Sequence, residues 1–105
     1  MEENSLSVFM TTKFNADTEA FRKFVDERGD ALVAIREDAK SKGCLSHRHA
    51  LGDGYVLVID EWESADAFHD FFQGNEAIQE VMQSMRTEGE PVHTSGEILN
   101  SPDTF

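Results

Sequence analysis

The chain has 105 residues, of which 39% are hydrophobic and 29% charged, and this predicts one globular domain over residues 1–105 rather than a disordered chain. Twenty-one acidic against nine basic residues give a net charge of −12, which repels phosphate backbones and anionic lipid, so neither nucleic acid nor a membrane is expected as a partner. The single cysteine excludes an intrachain disulfide, and the lack of a secretory signal and of a membrane-length apolar run favours the cytoplasm.

The first half of the chain predicts a strand followed by a long helix. Alternating apolar residues predict the strand over residues 6–14, and Phe9 on the opposite side indicates that both faces of the sheet are covered. Asp17 can cap the helix that follows. We expect Gly29 to kink or break this helix, because glycine in a helix interior costs about 1 kcal/mol relative to alanine. Gly43 then marks the end of the helix.

A β-hairpin is predicted next. Residues 44–50 and 55–62 have strand character, and the glycine-rich turn 52–54 between them should fold the second strand back on the first. The only tryptophan, Trp62, ends the second of these strands, and Ser64 can cap a helix directly after it.

The rest of the chain predicts two short helical pieces and a last strand. The helical pattern is interrupted at residues 74–75, residues 88–91 break the chain, and residues 92–99 form the last strand. The element order is therefore β-α-β-β-α-β. Because a helix joins strands one and two, these strands should lie parallel with another strand between them. The sequence thus predicts an α+β, ferredoxin-like fold with an antiparallel four-stranded sheet.

Three short motifs at the element junctions carry a resemblance to a known family. They are Gly43-Cys44-Leu45 before the second strand, Asp60-Glu61-Trp62-Glu63-Ser64 at the end of the third, and Ala67-Phe68 at the start of the second helix. With the elements in this order, the chain resembles the antibiotic biosynthesis monooxygenases over residues 5–99. The resemblance implies a homodimer that forms a dimeric α/β barrel, and a family in which some members oxygenate quinone-forming aromatics without a cofactor and others degrade haem.

The same resemblance argues against haem. The positions that match the asparagine, tryptophan and histidine of the haem-degrading branch are Val8, Phe71 and Val81, which cannot supply an axial ligand to iron. The resemblance therefore implies chemistry without a cofactor. Many family members also carry a histidine where Phe71 stands, whereas this chain has His69 on a different side of the predicted helix.

Four residues are predicted to contact a substrate. Trp62 could stack on a planar molecule and donate a hydrogen bond from its indole N–H, or it could fill the core where the strand meets the helix, and the two roles are compatible. Phe68 and Phe72 share a helix face that would extend the aromatic wall. His69 on the same helix completes this set.

His47 and His49 are the predicted catalytic residues. They share one face of the second strand at the spacing i and i+2, and either could act as a general base toward a phenol or remain an ordinary residue at a pocket rim. The pair could hold a metal only if a third ligand such as His93 approached, and no metal is expected. Cys44 is expected to behave as a small hydrophobic residue.

Two functions follow from these observations. The first is a cofactor-independent monooxygenase that acts on a planar aromatic or quinol-type small molecule, with the substrate anion itself reducing oxygen in a dry pocket. The second is a non-catalytic dimer of the same fold that binds a small ligand or serves as an assembly module.

Overall fold

The structure, a computed structural model, describes residues 6–105 as one antiparallel sheet with helices packed on one face. The strands lie in the order β2-β3-β1-β4, so β1 and β2 are parallel with β3 between them, as predicted. This arrangement confirms the α+β, ferredoxin-like prediction. The elements are β1 (Val8–Asn15), α1 (Thr18–Glu27), α2 (Gly29–Ser41), β2 (Cys44–Gly52), β3 (Tyr55–Trp62), α3 (Ala65–Gly74), α4 (Ala77–Ser84) and β4 (Glu88–Glu97).

Each predicted helical region is divided into two helices. Arg28 separates α1 from α2, next to the glycine where the sequence predicts a break. The carboxylate of Asp17 accepts a hydrogen bond from the backbone N–H of Ala20 at 3.1 Å and caps α1. The hydroxyl of Ser64 caps α3 in the same way through the N–H of Ala67 at 3.1 Å. These caps fix where each helix leaves the sheet.

The tight turn between β2 and β3 sets the register of the hairpin. Gly52 pairs with Tyr55, so that His47 lies opposite Asp60 and His49 opposite Val58. The regular pairing is interrupted only near the start of β2, between Cys44 and Ser46. The register therefore directs both histidines toward the face of β3 that carries the buried core.

The last strand differs from its prediction. It runs over Glu88–Glu97 rather than residues 92–99, although Gly89 and Pro91 were expected to break the chain first. Two features allow the earlier start. The pairing with β1 shifts between Lys13 and Asn15, where Gly89 adopts a φ of 72°, and β4 lies at the sheet edge, where the missing N–H of Pro91 costs little.

The core lies between the sheet and the helices. Met10, Thr12 and Phe14 of β1 face the helices and are buried. The opposite sheet face carries Phe9 and Leu57, which are half-buried, and no described helix packs on it. No helix within residues 6–105 is long and apolar enough to cross a membrane. The buried residues form two clusters, Phe14, Phe21, Phe24, Ala31, Val56, Val81 and Met85 at one end and Met10, Ala39, Cys44, Trp62, Phe68 and Phe71 at the other.

Two glycines at opposite ends of α2 should respond differently to substitution. Gly43 has a φ of 108°, and an added Cβ would lie 2.9 Å from a carboxylate oxygen of Glu63. We expect Gly43→Ala to lower the free energy of unfolding by more than about 1 kcal/mol. Gly29 has open space around it, so Gly29→Ala should raise the free energy of unfolding by about 0.5 kcal/mol. Urea unfolding measures both changes, and equal effects would contradict this account of the α2 ends.

Candidate functional site

A cavity of about 460 Å³ lies between the inner face of the sheet and the helices. Its volume falls in the range of about 300 to 1,000 Å³ that is usual for small-molecule sites. Exposed Val33 and Leu45 belong to its lining, so the cavity reaches solvent between α2 and β2. The lining is Thr12, Phe14, Phe21, Leu32, Val33, Ile35, Arg36, Ala39, Lys40, Cys44, Leu45, Ser46, His47, His49, Val56, Val58, Asp60, Trp62, Phe68, Phe71, Phe72, Ile78, Val81, Met82 and Met85.

Asp60 connects the predicted base to the predicted aromatic wall. One carboxylate oxygen contacts Nδ1 of His47 at 2.6 Å, and the other accepts a hydrogen bond from the indole Nε1–H of Trp62 at 3.0 Å. The side chain of Asp60 is only 5% exposed, whereas that of His47 is 35% exposed. A carboxylate taken out of water is costly unless it is paired, and these two contacts supply the pairing.

This geometry determines which nitrogen of His47 is left for chemistry. A carboxylate can only accept hydrogen bonds, so Nδ1 of His47 carries the proton that is donated to Asp60. In the neutral form of the ring, the lone pair then lies on Nε2. Fixing the ring through Nδ1 leaves Nε2 as the atom able to take a proton from a ligand in the cavity.

His49 has a different environment from His47, although both line the cavity. Its ring lies edge to face with His47, with ring centres 4.7 Å apart, and 5.1 Å from the ring of Phe21. His49 still contacts solvent, but these neighbours displace water from its ring and lower the pKa of His49 to about 4, with His47 acting in the same direction and Asp60 opposing it. His49 is therefore a neutral imidazole at neutral pH.

Trp62 is at once a core residue and part of the cavity wall. It has no exposed surface, and its ring centre lies 5.7 Å from that of Phe68 and 5.2 Å from that of Phe71. Other side chains therefore separate the indole from a ligand in the cavity. Phe72 is half-buried and lines the same cavity, so it presents more accessible aromatic surface than Phe68, which is 2% exposed.

His69 does not line the cavity. One position after Phe68, its side chain is turned by about 100° around α3. Its ring packs against Phe68, with centres 5.4 Å apart, and near His93 at 6.3 Å. His93 in turn contacts the hydroxyl of Thr12 through Nδ1 at 2.9 Å. Of the four residues that the sequence predicts as substrate contacts, Trp62, Phe68 and Phe72 line the cavity and His69 does not.

A third metal ligand does not approach the histidines of β2. His93 lies on β4, at the opposite edge of the sheet from His47 and His49. Within residues 6–105, no three His, Cys, Asp or Glu side chains form a group that could hold a metal ion.

Cys44 lines the cavity as a thiol rather than a thiolate. Its Sγ donates to the carbonyl of Ser46 at 3.3 Å. Burial raises the pKa of Cys44 to about 11, and the negative charge of Asp60 adds to this effect. A neutral thiol is a poor nucleophile, so Cys44 contributes apolar surface, as its sequence context predicts.

Asp60 belongs to the candidate site but is not among the residues that the sequence pattern singled out. The signal was present, because counting outward from the Gly52 and Tyr55 pair places position 47 opposite position 60. Asp60 and Trp62 also share one strand face, which allows their side chains to meet. An acidic residue on the strand face that also carries Val56, Val58 and Trp62 is a pattern from which a buried and paired carboxylate can be predicted.

No family model matches the chain, and no curated protein matches it. Solved structures do. A monooxygenase from the gene ActVA-Orf6 of Streptomyces coelicolor, in complex with nanaomycin D, is 19% identical, with coverage of 94% of this chain and 93% of that chain and a TM-score of 0.64. SnoaB, a cofactor-independent oxygenase from Streptomyces nogalater, is 12% identical, with coverage of 94% and 99% and a TM-score of 0.60.

A further antibiotic biosynthesis monooxygenase is 11% identical, covers 89% of this chain and 99% of its own length, and has a TM-score of 0.63. At such low identities, the agreement over nearly the full length of both chains concerns the fold. It confirms the resemblance that the junction motifs predicted. The chain therefore has the fold of the antibiotic biosynthesis monooxygenases.

Proposed function

We propose that this chain is a cofactor-independent monooxygenase that acts on a planar aromatic or quinol-type molecule, with His47 as the general base. The observation that carries the proposal is the contact of 2.6 Å between Asp60 and Nδ1 of His47 at the wall of an apolar cavity. It is the arrangement in which a carboxylate orients an imidazole and stabilises the imidazolium formed when Nε2 takes up a proton. Asp60 is a positioning residue in this proposal.

The reaction needs little more than a base and a dry pocket. His47 removes the proton of a phenolic substrate, and the electron-rich anion transfers an electron to molecular oxygen. The substrate radical and superoxide then combine to form a carbon–oxygen bond, and the protonated His47 returns its proton to the outer oxygen, which gives a hydroperoxide and restores the neutral base. His47 next removes the remaining proton on that carbon, so that a C=O bond forms as the O–O bond breaks. The departing hydroxide takes this proton from His47, so one oxygen atom stays in the product as a carbonyl and the other leaves as water. The apolar lining supports this chemistry because it excludes water from the reacting anion.

The substrate ring would lie beside Phe72 and beneath the two histidines. Phe72 offers accessible aromatic surface to a planar molecule, and Phe68 and Trp62 support it from behind. His49 remains neutral near His47, so it adds no positive charge that would oppose protonation of His47. Trp62 thus acts through packing and through its hydrogen bond to Asp60.

His47→Asn should abolish catalysis while keeping the site intact. The asparagine amide can still donate to Asp60, but it has no basic nitrogen, so oxygen uptake with 1,8-dihydroxyanthrone should fall by about a hundredfold or more. Oxygen uptake above the spontaneous rate measures the change, and calorimetric titration measures binding of the same probe.

His69→Asn is the matched control, because His69 lies on the surface outside the cavity lining, and it should leave uptake unchanged. Retained uptake in His47→Asn would contradict the assignment of the base. Binding without any uptake in the unmodified protein would instead favour the non-catalytic ligand-binding module.

The titration of His49 gives a pH dependence with a defined sign. Its pKa is about 4 in the folded protein and 6.5 when unperturbed, so the unfolded chain takes up a proton first as the pH falls. The free energy of unfolding should therefore fall between about pH 7 and about pH 5. His49→Gln should show a smaller fall, measured by urea unfolding at both pH values. Equal falls in the two proteins would show that His49 titrates normally.

We also propose that the outer face of the sheet is covered by a second copy of the chain. Phe9, Leu57 and Ile59 on this face are apolar and half-buried, and Val92 beside them is 58% exposed. The described helices pack only on the other face. These apolar residues alternate with polar ones such as Lys13 and Thr11, and a mixed sheet face with exposed apolar residues is usual where two subunits meet.

Sedimentation at micromolar concentration should therefore give a species of twice 11.8 kDa. Leu57→Glu should produce the single-chain species, because it places a charge on the outer face that the second copy would bury. Lys13 lies opposite position 57 on the neighbouring strand and can pair with the new carboxylate, so the single chain should still fold. Val25→Glu is the control, since Val25 is 41% exposed on α1, and it should leave the dimer intact. A single-chain mass for the unmodified protein would refute the dimer.

A further inference from the structure

The charged residues that line the cavity have a net charge opposite in sign to that of the whole chain. The chain has 21 acidic and nine basic residues, yet its cavity lining contains two permanent cations, Arg36 and Lys40, and one carboxylate, Asp60. A random sample of this chain's charged residues would be mainly acidic. The sign of the charge at the cavity therefore differs from what the composition alone would give.

Arg36 and Lys40 lie one helical turn apart on the same side of α2. Residues at the spacing i and i+4 face the same direction, with Cβ atoms about 6 Å apart. Val33, one turn earlier, is 46% exposed and also lines the cavity, so this side of α2 borders the opening. The Arg36 side chain is 55% exposed. The two cations thus stand at the mouth of the cavity rather than in its apolar interior.

Arg36 and Lys40 share one neighbouring carboxylate, that of Glu37, whose pKa is lowered by its hydrogen bond to Arg36 and by the charges of Lys40 and Arg36, so the pair of cations keeps one net positive charge beside it. Arg36 contacts Glu37 through Nε at 2.7 Å, but both side chains are more than half exposed, and such surface pairs contribute little. Lys40 makes no ion pair within 4.0 Å among residues 6–105. Lys40 lies in the last turn of α2, where its charge also interacts favourably with the negative end of the helix dipole. Arg36 lies a full turn earlier, so this role does not apply to it.

The carboxylate of the lining does not cancel this positive charge for a ligand. Both oxygens of Asp60 are engaged, one by His47 and the other by Trp62, and the side chain is 5% exposed. A ligand that enters between α2 and β2 therefore meets Arg36 and Lys40 first and the apolar wall afterwards. The negative field of the whole protein would slow the approach of an anion, so local cations are what an anionic ligand requires.

We propose that the cavity selects planar aromatic molecules that carry an acid group, such as a carboxylate, and that Arg36 and Lys40 hold this group at the mouth. The inference rests on the proposed function in taking the cavity as the ligand site, and it adds the substrate class. With the acid group at α2, the ring system extends over Phe72 toward His47. Arg36 and Lys40 are specificity residues and take no part in the proton transfer.

The test compares two probes of the same shape and different charge. These are 9,10-anthraquinone-2-carboxylate and the neutral 9,10-anthraquinone-2-carboxamide, each titrated by calorimetry at low ionic strength. We expect the carboxylate to bind about fivefold more tightly, the preference that two partly exposed ion pairs can supply. Salt at about 0.5 M should reduce the preference, because it screens exposed charges.

Arg36→Gln combined with Lys40→Gln should make the two probes equal in affinity while leaving binding of the carboxamide unchanged. The matched control is Arg22→Gln combined with Lys23→Gln, which removes the same charge from exposed positions of α1 outside the cavity lining and should keep the preference. Loss of the preference in this control would assign it to net charge and overturn the inference.

Two further outcomes separate the substrate class from the proposed function. If the unmodified protein binds both probes equally, the acid preference is refuted while the cavity remains a ligand site. If it binds neither probe and takes up no oxygen with 1,8-dihydroxyanthrone, the inference and the proposed function fail together.

Discussion

The buried carboxylate of Asp60 is the constraint on which the site depends. It lies on the face of β3 that packs against the helices, where an unpaired charge would strongly oppose folding. Its two oxygens are satisfied by His47 on the neighbouring strand and by Trp62 on its own strand. The same contacts that make the charge tolerable also orient the imidazole toward the cavity, so stability and the proposed chemistry have a common physical origin.

The shape of the cavity follows from how the helical regions are divided. The break at Arg28 turns α2 away from the direction of α1. The buried residues of α2 are Ala31 and Ala39, which are small, while Leu32 and Ile35 are only partly buried. The cavity lies between the two core clusters, where α2 has no large buried side chain to fill it.

Much of the fold was predictable because it depends on local patterns. The turn at residues 52–54, the caps Asp17 and Ser64, and the break next to Gly29 each act within a few residues of the chain. The start of β4 was not predictable in this way. Its Gly89 and Pro91 are tolerated because the strand lies at the sheet edge with an irregular pairing to β1, and a strand's place in the sheet is a tertiary property.

The site was predictable in part for the same reason. Strand alternation was enough to place His47 and His49 together, and the hairpin register would have added Asp60. Sequence periodicity could not show that Trp62 is fully enclosed by Phe68 and Phe71, because that depends on how α3 packs on the sheet. The role of α2 at the opening likewise depends on the tertiary arrangement of helix and sheet.

The irregular start of β2 has a consequence for how such a protein can change over time. Cys44 pairs with Trp62 and Ser46 with Glu61, so Leu45 is a supernumerary residue that the ladder does not require, and its side chain is 55% exposed beside the cavity. Such bulges alter local shape without disturbing the pairing beyond them. Insertion, deletion or substitution at position 45 can therefore widen or narrow the opening of the cavity while the contact between His47 and Asp60 is kept. Related sequences could change the opening at this one position without changing the rest of the sheet.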